Sequence, residues 1–277
     1  MPVSQSPAET PPETPSELPS GTPADPAQPV ALVTGAALRI GRAIAEDLSA
    51  NGFRLAIHAH RSLSEAEALA RNIAERGGSA CIVSGDLTRP ETPQRIMAAA
   101  RAQLGPVRLL VNSASIFEKD EIGGLEIDRY EKHMAIHTRA PIFLTQEMAN
   151  ALPDGMNGLV VNIIDQRVWK LTPQFFSYTL SKAALWTATQ TLAQGLAPRI
   201  RVNGIGPGPT LANTRQQPSD FARQAEAVLL RRGPGLDEFG RTIRYLWDTP
   251  SITGQMIALD GGQHLAWETP DVVGMEE

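Results

Sequence analysis

Tyr178 and Lys182 have the types and the spacing for reduction chemistry. Because they are four residues apart, they share one face of a helix. A tyrosine hydroxyl ionises near pH ~10, and a neighbouring ammonium favours the phenolate, so such a pair can move a proton near neutral pH. Asp165 lies thirteen residues before the tyrosine, at the end of the apolar run GLVVNIID. The Tyr-x-x-x-Lys spacing is common by chance, so the rest of the chain must show whether it marks a site.

The first turn that can hold a ligand is TGAALRIG, which contains Gly35, Arg39 and Gly41. Glycines in a turn between a strand and a helix let the backbone approach a pyrophosphate at the helix N-terminus. Only two of the three glycines of the dinucleotide fingerprint are present, so the turn alone also fits an ordinary tight connection. Arg39 stands where a phosphate would lie.

The end of the second predicted strand carries His60, Arg61 and Ser62. Sites for a free ribose 2′-hydroxyl place Asp or Glu at this point, and neither is present here. An arginine and a hydroxyl can instead hold a 2′-phosphate through charge-assisted hydrogen bonds. The segment therefore predicts NADPH as the cofactor, with a solvated basic strand end as the alternative.

The next two strand ends are also polar. Asp86 ends the third predicted strand, where an adenine edge would lie, although an aspartate there also fits a simple turn. Asn112, Ser113 and Ser115 end the fourth strand, where the ribose and nicotinamide would lie.

Apolar runs alternate with helical patterns from Val30 onward, which is typical of βαβ units. We predict one doubly wound α/β Rossmann domain with a seven-stranded parallel sheet, whose ligand crevice lies at the carboxyl ends of the strands. The pattern includes one long helix over 128–150 and a later one over 219–233. Residues 1–29 hold nine of the 22 prolines and predict a disordered tail. The domain is therefore expected at 30–267, followed by a short C-terminal tail at 268–277.

The composition argues against several classes of protein. The chain has 277 residues, a net charge of −5 and one cysteine, Cys81, which excludes an internal disulfide. Nothing indicates a basic surface for nucleic acid, and no apolar stretch reaches the ~18 residues of a membrane span. The N-terminus lacks the features of a secretory signal. We expect a cytoplasmic protein that binds a small-molecule substrate, with no nucleic-acid or membrane partner and no metal site.

These motifs together resemble the short-chain dehydrogenase/reductase family over nearly all of 30–265. Four details are similar to its pteridine reductase branch, including the dihydromonapterin reductases: Arg39 in the glycine turn, His60-Arg61-Ser62, Asp165 before the tyrosine, and the segment from Ser113 to Phe117. The resemblance implies that the arginine of the glycine turn and the His-Arg-Ser segment hold NADPH. It also implies a homo-oligomer, a dimer or a tetramer.

The resemblance carries roles to individual positions. It implies that Phe117 stacks on a pterin, that Tyr178 and Lys182 orient the nicotinamide ribose, and that Asp165 and Tyr178 manage the proton. The catalytic set is thus Asp165, Tyr178 and Lys182, and the substrate-binding set is Ser115, Phe117, Asp165 and Tyr178. The cofactor-binding set is Gly35, Arg39, Ile40, Gly41, His60, Arg61, Ser62, Asp86, Leu87, Asn112, Ser113, Ser115, Tyr178, Lys182, Pro207, Gly208 and Thr210.

The hypothesis for Asp165 is that its carboxyl, with Tyr178, supplies a proton to a ring C=N group. Two departures bear on it. Arg167 would favour the charged carboxylate if it folds back, and His137 stands where the wider family has an asparagine that supports a proton-relay water. The alternatives are a carbonyl or 3-oxoacyl reductase of the same fold, and a sensor that binds NADP(H) without turnover.

Overall fold

A computed structural model describes residues 28–212, 217–269, 271 and 273–274. Most of the predicted N-terminal tail lies outside these residues, as do several positions of the predicted C-terminal tail. Within them the chain forms one seven-stranded sheet in which all pairs are parallel, in the order β3-β2-β1-β4-β5-β6-β7. The strands are β1 Val30–Val33, β2 Arg54–Ala59, β3 Ala80–Ser84, β4 Val107–Asn112, β5 Gly158–Ile163, β6 Ile200–Pro207 and β7 Met256–Leu259.

Helices cover both faces of the sheet, as the crossover rule requires. They are α1 Arg39–Ala50, α2 Leu63–Glu75, α3 Thr92–Leu104, α4 Ile127–Met134, α5 Ala140–Ala151, α6 Phe176–Leu196, α7 Pro218–Glu226 and α8 Leu236–Asp248. Alternate residues of β1 belong to different cores. Ala31 and Val33 pack with α1, α2 and α8, whereas Val30 and Leu32 pack with α3, α5 and α6. Because both faces are buried, the strands are continuous apolar runs.

The predicted doubly wound sheet is confirmed, with two differences in the helices. The long helix predicted over 128–150 is α4 and α5, joined by a π-helical turn at Ala135–Arg139. The helix predicted over 219–233 ends early, at Glu226. The chain turns there to bury Val228 and to let the Leu230 amide donate to Gly261, and Arg231 then takes a positive φ of 52°.

The strand order reverses beside β1, which has β2 on one side and β4 on the other. Loops from the two sides diverge at such a point and leave a crevice beyond the carboxyl ends of the strands. No helix in the described part of the chain has the length and apolar character needed to cross a membrane.

Candidate active site

A cleft of about 1550 Å³ lies over the carboxyl ends of the strands. Every residue of the predicted site lines this cleft except Asn112. The members are Gly35, Arg39, Ile40, Gly41, His60, Arg61, Ser62, Asp86, Leu87, Ser113, Ser115, Phe117, Asp165, Tyr178, Lys182, Pro207, Gly208 and Thr210.

Asn112 lies beneath the cleft. Its side chain is buried and donates to Asn162 Oδ1 over 2.8 Å, and Asn162 in turn donates to Thr189 over 2.9 Å. Asn112 thus joins β4 to β5 and α6 by a buried polar ladder, and its predicted contact with the cofactor stays a prediction.

The glycine turn is shaped by close backbone packing. Gly35 has φ +64°, and a Cβ there would lie 2.9 Å from Ala114 Cα. A Cβ at Gly41 would lie 2.3 Å from the Gly35 carbonyl oxygen. Neither position has room for a side chain, so the chain passes tightly into α1. Leu38, the N-cap of α1, gives no side-chain cap, so the first N–H groups of the helix have no capping side chain as a partner.

His58 supports this turn from below, a role that sequence reasoning missed. The Gly35 amide donates to His58 Nδ1 over 3.3 Å, so Nε2 carries the proton and donates to the Gly85 carbonyl oxygen over 3.0 Å. Burial lowers the pKa of His58 to about 4, despite the opposing bond to Gly85. A neutral imidazole therefore ties the turn after β1 to the end of β3.

Polar and cationic side chains surround the glycine turn. Arg61 and His60 are exposed on the cleft wall, and His60 Nδ1 lies 3.9 Å from an Asp86 carboxylate oxygen. Asp86 also accepts the Thr88 amide over 2.9 Å, which is the turn that the sequence offered as the simpler explanation. Arg39 donates to the carbonyl oxygens of residues 211 and 212 at 3.2 and 3.1 Å, and so joins the turn to the segment after β6.

Asp165, Tyr178 and Lys182 meet at the other end of the cleft. The Tyr178 hydroxyl donates to Asp165 Oδ2 over 2.8 Å, and Lys182 Nζ donates to the Ile163 carbonyl oxygen over 2.7 Å. Burial and the nearby Asp165 raise the pKa of Tyr178 well above its usual range. Burial lowers the pKa of Lys182 to about 8, against the attraction of Asp165. The expectation that Lys182 lowers the pKa of Tyr178 is therefore wrong for this arrangement.

Arg167 folds back onto Asp165, as the sequence allowed. Its amide donates to Asp165 Oδ1 over 2.8 Å, and its Nη1 lies 3.4 Å from Oδ2. With the Tyr178 hydroxyl, Asp165 thus accepts hydrogen bonds from three donors, an arrangement that suits a carboxylate. The Arg167 guanidinium also lies over the rings of Phe117 and Phe175, at 5.2 and 5.6 Å from their centroids.

Phe117 and Phe175 form an aromatic wall beside the acid. Their rings are stacked with centroids 4.2 Å apart and an angle of 12° between planes, and Tyr178 meets Phe117 edge-on at 4.8 Å. Phe175 has φ +57°, a left-handed conformation that is uncommon for a bulky residue. Sequence reasoning did not find Phe175, and only the aromatic pair FF before the tyrosine could have drawn attention to it.

Cys81 lies away from the cleft chemistry. It is buried in the core, and burial raises the pKa of its thiol to about 12. Within the described residues, no group of three or more His, Cys, Asp or Glu side chains is arranged to hold a metal ion.

The comparisons with known proteins agree with this geometry. The family model described as short chain dehydrogenase matches residues 29–222. The chain belongs to the short-chain dehydrogenase family.

Three relatives show which members it is similar to. The structure of FolM alternative dihydrofolate reductase 1 from Brucella suis, in complex with NADP, is 58% identical with a TM-score of 0.87, covering 90% of this chain and 99% of that one. Pteridine reductase 1 of Leishmania tarentolae is 30% identical, over 87% of this chain and 98% of its own length. NADPH-dependent aldehyde reductase 2 of Arabidopsis thaliana is 32% identical, over 65% of this chain and 71% of its own.

Proposed function

We propose that this protein is an NADPH-dependent reductase that transfers a hydride to a C=N bond of a dihydropterin-type ring. The observation that carries the proposal is the 2.8 Å hydrogen bond between Tyr178 and Asp165 inside the cleft. The Brucella suis enzyme, named as a dihydrofolate reductase and solved with NADP, supports the same reading at 58% identity. So does the likeness to a pteridine reductase.

The geometry of the cofactor end supports a phosphorylated dinucleotide as its ligand, independently of the similarity to other proteins. Gly35 and Gly41 leave no space for side chains, so backbone N–H groups at the start of α1 can face a pyrophosphate. Arg39 and Arg61 provide cations for phosphate groups, and Ser62 a hydroxyl. The remaining members of the predicted cofactor set line the same cleft, apart from Asn112. When bound, NADPH supplies the hydride.

Tyr178 and Asp165 are proposed to deliver the proton. Reducing C=N adds hydride to carbon and a proton to nitrogen, so the site needs a group that still holds its proton at neutral pH. The raised pKa of Tyr178 keeps the phenol protonated, and its proton points to Asp165 Oδ2. To take this proton, a ring nitrogen must replace Asp165 Oδ2 as the acceptor of the hydroxyl. The Asp165 carboxylate then stabilises the positive charge on the protonated ring, and the phenolate left on Tyr178, whose ring centroid is 5.7 Å from Lys182 Nζ, regains its proton from solvent in the cleft.

Lys182 and Phe117 are proposed to hold the reactants in place. An ammonium has three donors, and Lys182 uses one on the Ile163 carbonyl oxygen. The others remain for the ribose hydroxyls of the cofactor. Phe117 lines the cleft next to Tyr178, and we propose that a flat bicyclic ring packs against the Phe117–Phe175 wall.

The test is the loss of NADPH absorbance with dihydrobiopterin or dihydromonapterin, beside simple ketones and a β-ketoacyl thioester. We expect turnover of the dihydropterins that falls by about 100-fold or more in Asp165→Ala, because the proposed proton donor Tyr178 loses its partner and the protonated ring loses the carboxylate that stabilises it. Asp154→Ala is the control, because Asp154 is a fully exposed carboxylate away from the cleft. Turnover confined to ketones and indifferent to Asp165 would make the protein a carbonyl reductase. Cofactor binding without any oxidation would make it a sensor.

We also propose that the catalytic domain spans 30–267 and works in the cytoplasm as a homo-oligomer, a dimer or a tetramer. Phe143 on α5 and Leu180 on α6 are more than a third exposed, at 44% and 41%, which supports a contact between copies through these helices. Light scattering on the purified chain measures the mass directly, and Phe143→Glu is expected to lower it. A monomeric wild type would contradict the assembly.

A further inference from the structure

We propose that His137 is a positioning residue. As a neutral imidazole protonated on Nδ1, it fixes the Ser115–Ile116 turn against α6 and makes Ser115 a hydrogen-bond acceptor toward the cleft. The proposal rests on the proposed function only for the identity of the substrate.

The proton positions follow from the partners of the ring. The Ile116 amide lies 3.1 Å from His137 Nε2, and because an amide only donates, Nε2 must carry the lone pair. The neutral ring then holds its proton on Nδ1, which lies 2.9 Å from Ser181 Oγ. Ser181 accepts this proton and donates its own to the Tyr178 carbonyl oxygen over 2.8 Å. The hydrogen bonds from the Ile116 amide through His137 and Ser181 to the Tyr178 carbonyl oxygen therefore all run in the same direction, from donor to acceptor.

This series of hydrogen bonds decides whether the Ser115 hydroxyl donates or accepts. Its Oγ lies 3.0 Å from His137 Nε2 and 3.3 Å from the Ile116 carbonyl oxygen, and both of these atoms are acceptors. Nε2 has one lone pair, which the Ile116 amide also uses, so the hydroxyl proton points either to this shared lone pair or to the Ile116 carbonyl oxygen. The lone pairs of Oγ remain for the cleft, which Ser115 lines. We therefore expect the ligand group at Ser115 to be a donor, such as a ring N–H, an amino group or a carboxamide.

The surroundings keep His137 out of acid–base chemistry. The ring is 1% exposed, and both nitrogens are occupied. It faces Lys182 and Tyr178 from α6 and His133 from α4. Burial lowers the pKa of His137 well below its usual value, and the neighbouring Lys182 and His133 act in the same direction. An imidazole that serves as a proton relay near neutral pH would need a free nitrogen or a higher pKa.

The backbone explains how the ring reaches three partners. His137 is the central residue of the π-helical turn Ala135–Arg139 between α4 and α5. A π turn inserts an extra residue and changes the phase of the helix locally, and such turns often occur at functional sites. The imidazole then offers an acceptor to the loop after β4 on one edge and a donor to α6 on the other. It links the loop that carries Phe117 to the helix that carries Tyr178.

The main variant is His137→Phe, which keeps an aromatic ring and removes both nitrogens. We expect kcat/KM for dihydropterin to fall about 10- to 100-fold, because the Ile116 amide and Ser181 lose their partners. Most of the loss should appear in KM, since Tyr178, Asp165 and Lys182 remain. His133→Phe is the matched control. His133 is a buried histidine one turn earlier, whose Nδ1 lies 2.9 Å from the Arg129 carbonyl oxygen. The kcat/KM of His133→Phe should stay near that of wild type, because the bonds of His137 to Ile116 and Ser181 remain.

A double-mutant cycle separates positioning from general damage to the fold. If His137 acts through Ser115, then Ser115→Ala combined with His137→Phe should lose little more than His137→Phe alone. Additive losses would overturn the proposal, as would wild-type kinetics in His137→Phe. A neutral-range ionisation in the pH profile of wild type that disappears in His137→Phe would show a relay instead.

A readout independent of activity covers the case in which no dihydropterin is turned over. His133 and His264 also hold a proton on Nδ1, which faces the Arg129 carbonyl oxygen in the first and Asp260 in the second. The nitrogen NMR spectrum of protein labelled with ¹⁵N-histidine should therefore show, at pH 7, a neutral Nδ1-protonated ring that is missing in His137→Phe and still present in His133→Phe. That result would uphold the bonding scheme even if the proposed substrate class were wrong. A charged or Nε2-protonated ring at this position would overturn the scheme itself.

Discussion

The two ends of the cleft each rest on a buried neutral histidine, but the two rings are opposite tautomers. His58, below the glycine turn, accepts the Gly35 amide on Nδ1 and donates from Nε2 to the Gly85 carbonyl oxygen. His137, below the substrate end, accepts the Ile116 amide on Nε2 and donates from Nδ1 to the Ser181 hydroxyl. The first ring joins backbone to backbone, whereas the second joins backbone to side chains.

This difference separates two ways of building a site. At the cofactor end, backbone packing fixes the shape, and the exposed Arg61 is free to select for phosphate. At the substrate end, the groups that do the chemistry are themselves held by side chains, because Tyr178 bonds to Asp165 and Asp165 bonds to Arg167. Single substitutions should therefore be costly at the substrate end and milder among the exposed side chains of the cofactor end.

The largest effect is expected for Tyr178→Phe. The ring and its packing against Phe117 remain, but the proposed proton donor is lost, so kcat for dihydropterin should fall by about 10²- to 10⁴-fold. NADPH affinity, measured by fluorescence titration, should fall far less than kcat, because Tyr178 is one of many residues of the predicted cofactor set. Tyr245→Phe is the control, because that hydroxyl is on the exposed face of α8. If kcat survives in Tyr178→Phe, the proton comes from another group and the contrast between the two ends is weakened.

A smaller effect, on stability, is expected for acidification at His58. Its folded pKa of about 4 is below the usual 6.5, so the unfolded chain takes up the proton first. The free energy of unfolding should therefore be constant above pH 6.5 as far as this group is concerned, and should fall as the pH drops from 6.5 toward 4. The difference of pKa corresponds to on the order of 3 kcal/mol at most.

Urea unfolding between pH 7.5 and 4.5 measures this dependence, with His58→Gln as the comparison. The glutamine does not titrate, so its curve should be flatter through the same window, although its stability at pH 7.5 is lower. NADPH affinity of wild type should fall in parallel, since protonation removes the acceptor for the Gly35 amide. Equal slopes in the two proteins would show that His58 does not titrate on unfolding.

The cofactor end and the substrate end of the cleft also differ in how much of each could be predicted from the sequence. The parallel sheet, the glycine turn and the pair Tyr178 and Lys182 follow from local patterns, and their place in one cleft follows because the carboxyl ends of parallel strands must meet at one edge. His58 showed only as a residue on a buried strand, since its partners come from other strands. Phe175 and the partners of His137 depend on contacts over 21 to 58 residues of sequence, which no local period encodes. Asn112 failed to reach the cleft surface because its side chain pairs with Asn162 on the neighbouring strand.

The smallest effect is expected for Arg61→Ala, at the exposed edge of the cofactor end. If Arg61 selects the 2′-phosphate, the KM for NADPH should rise about tenfold, a modest value because the side chain is exposed to solvent. The KM for NADH should stay the same, since NADH lacks that phosphate. Arg71→Ala, another exposed arginine, lies on α2 outside the cleft and serves as the control. Added salt should weaken NADPH binding to wild type more than to Arg61→Ala. An equal loss with both cofactors would mean that Arg61 supports the fold of the strand end, and that the selection for phosphate lies with Arg39 in the glycine turn.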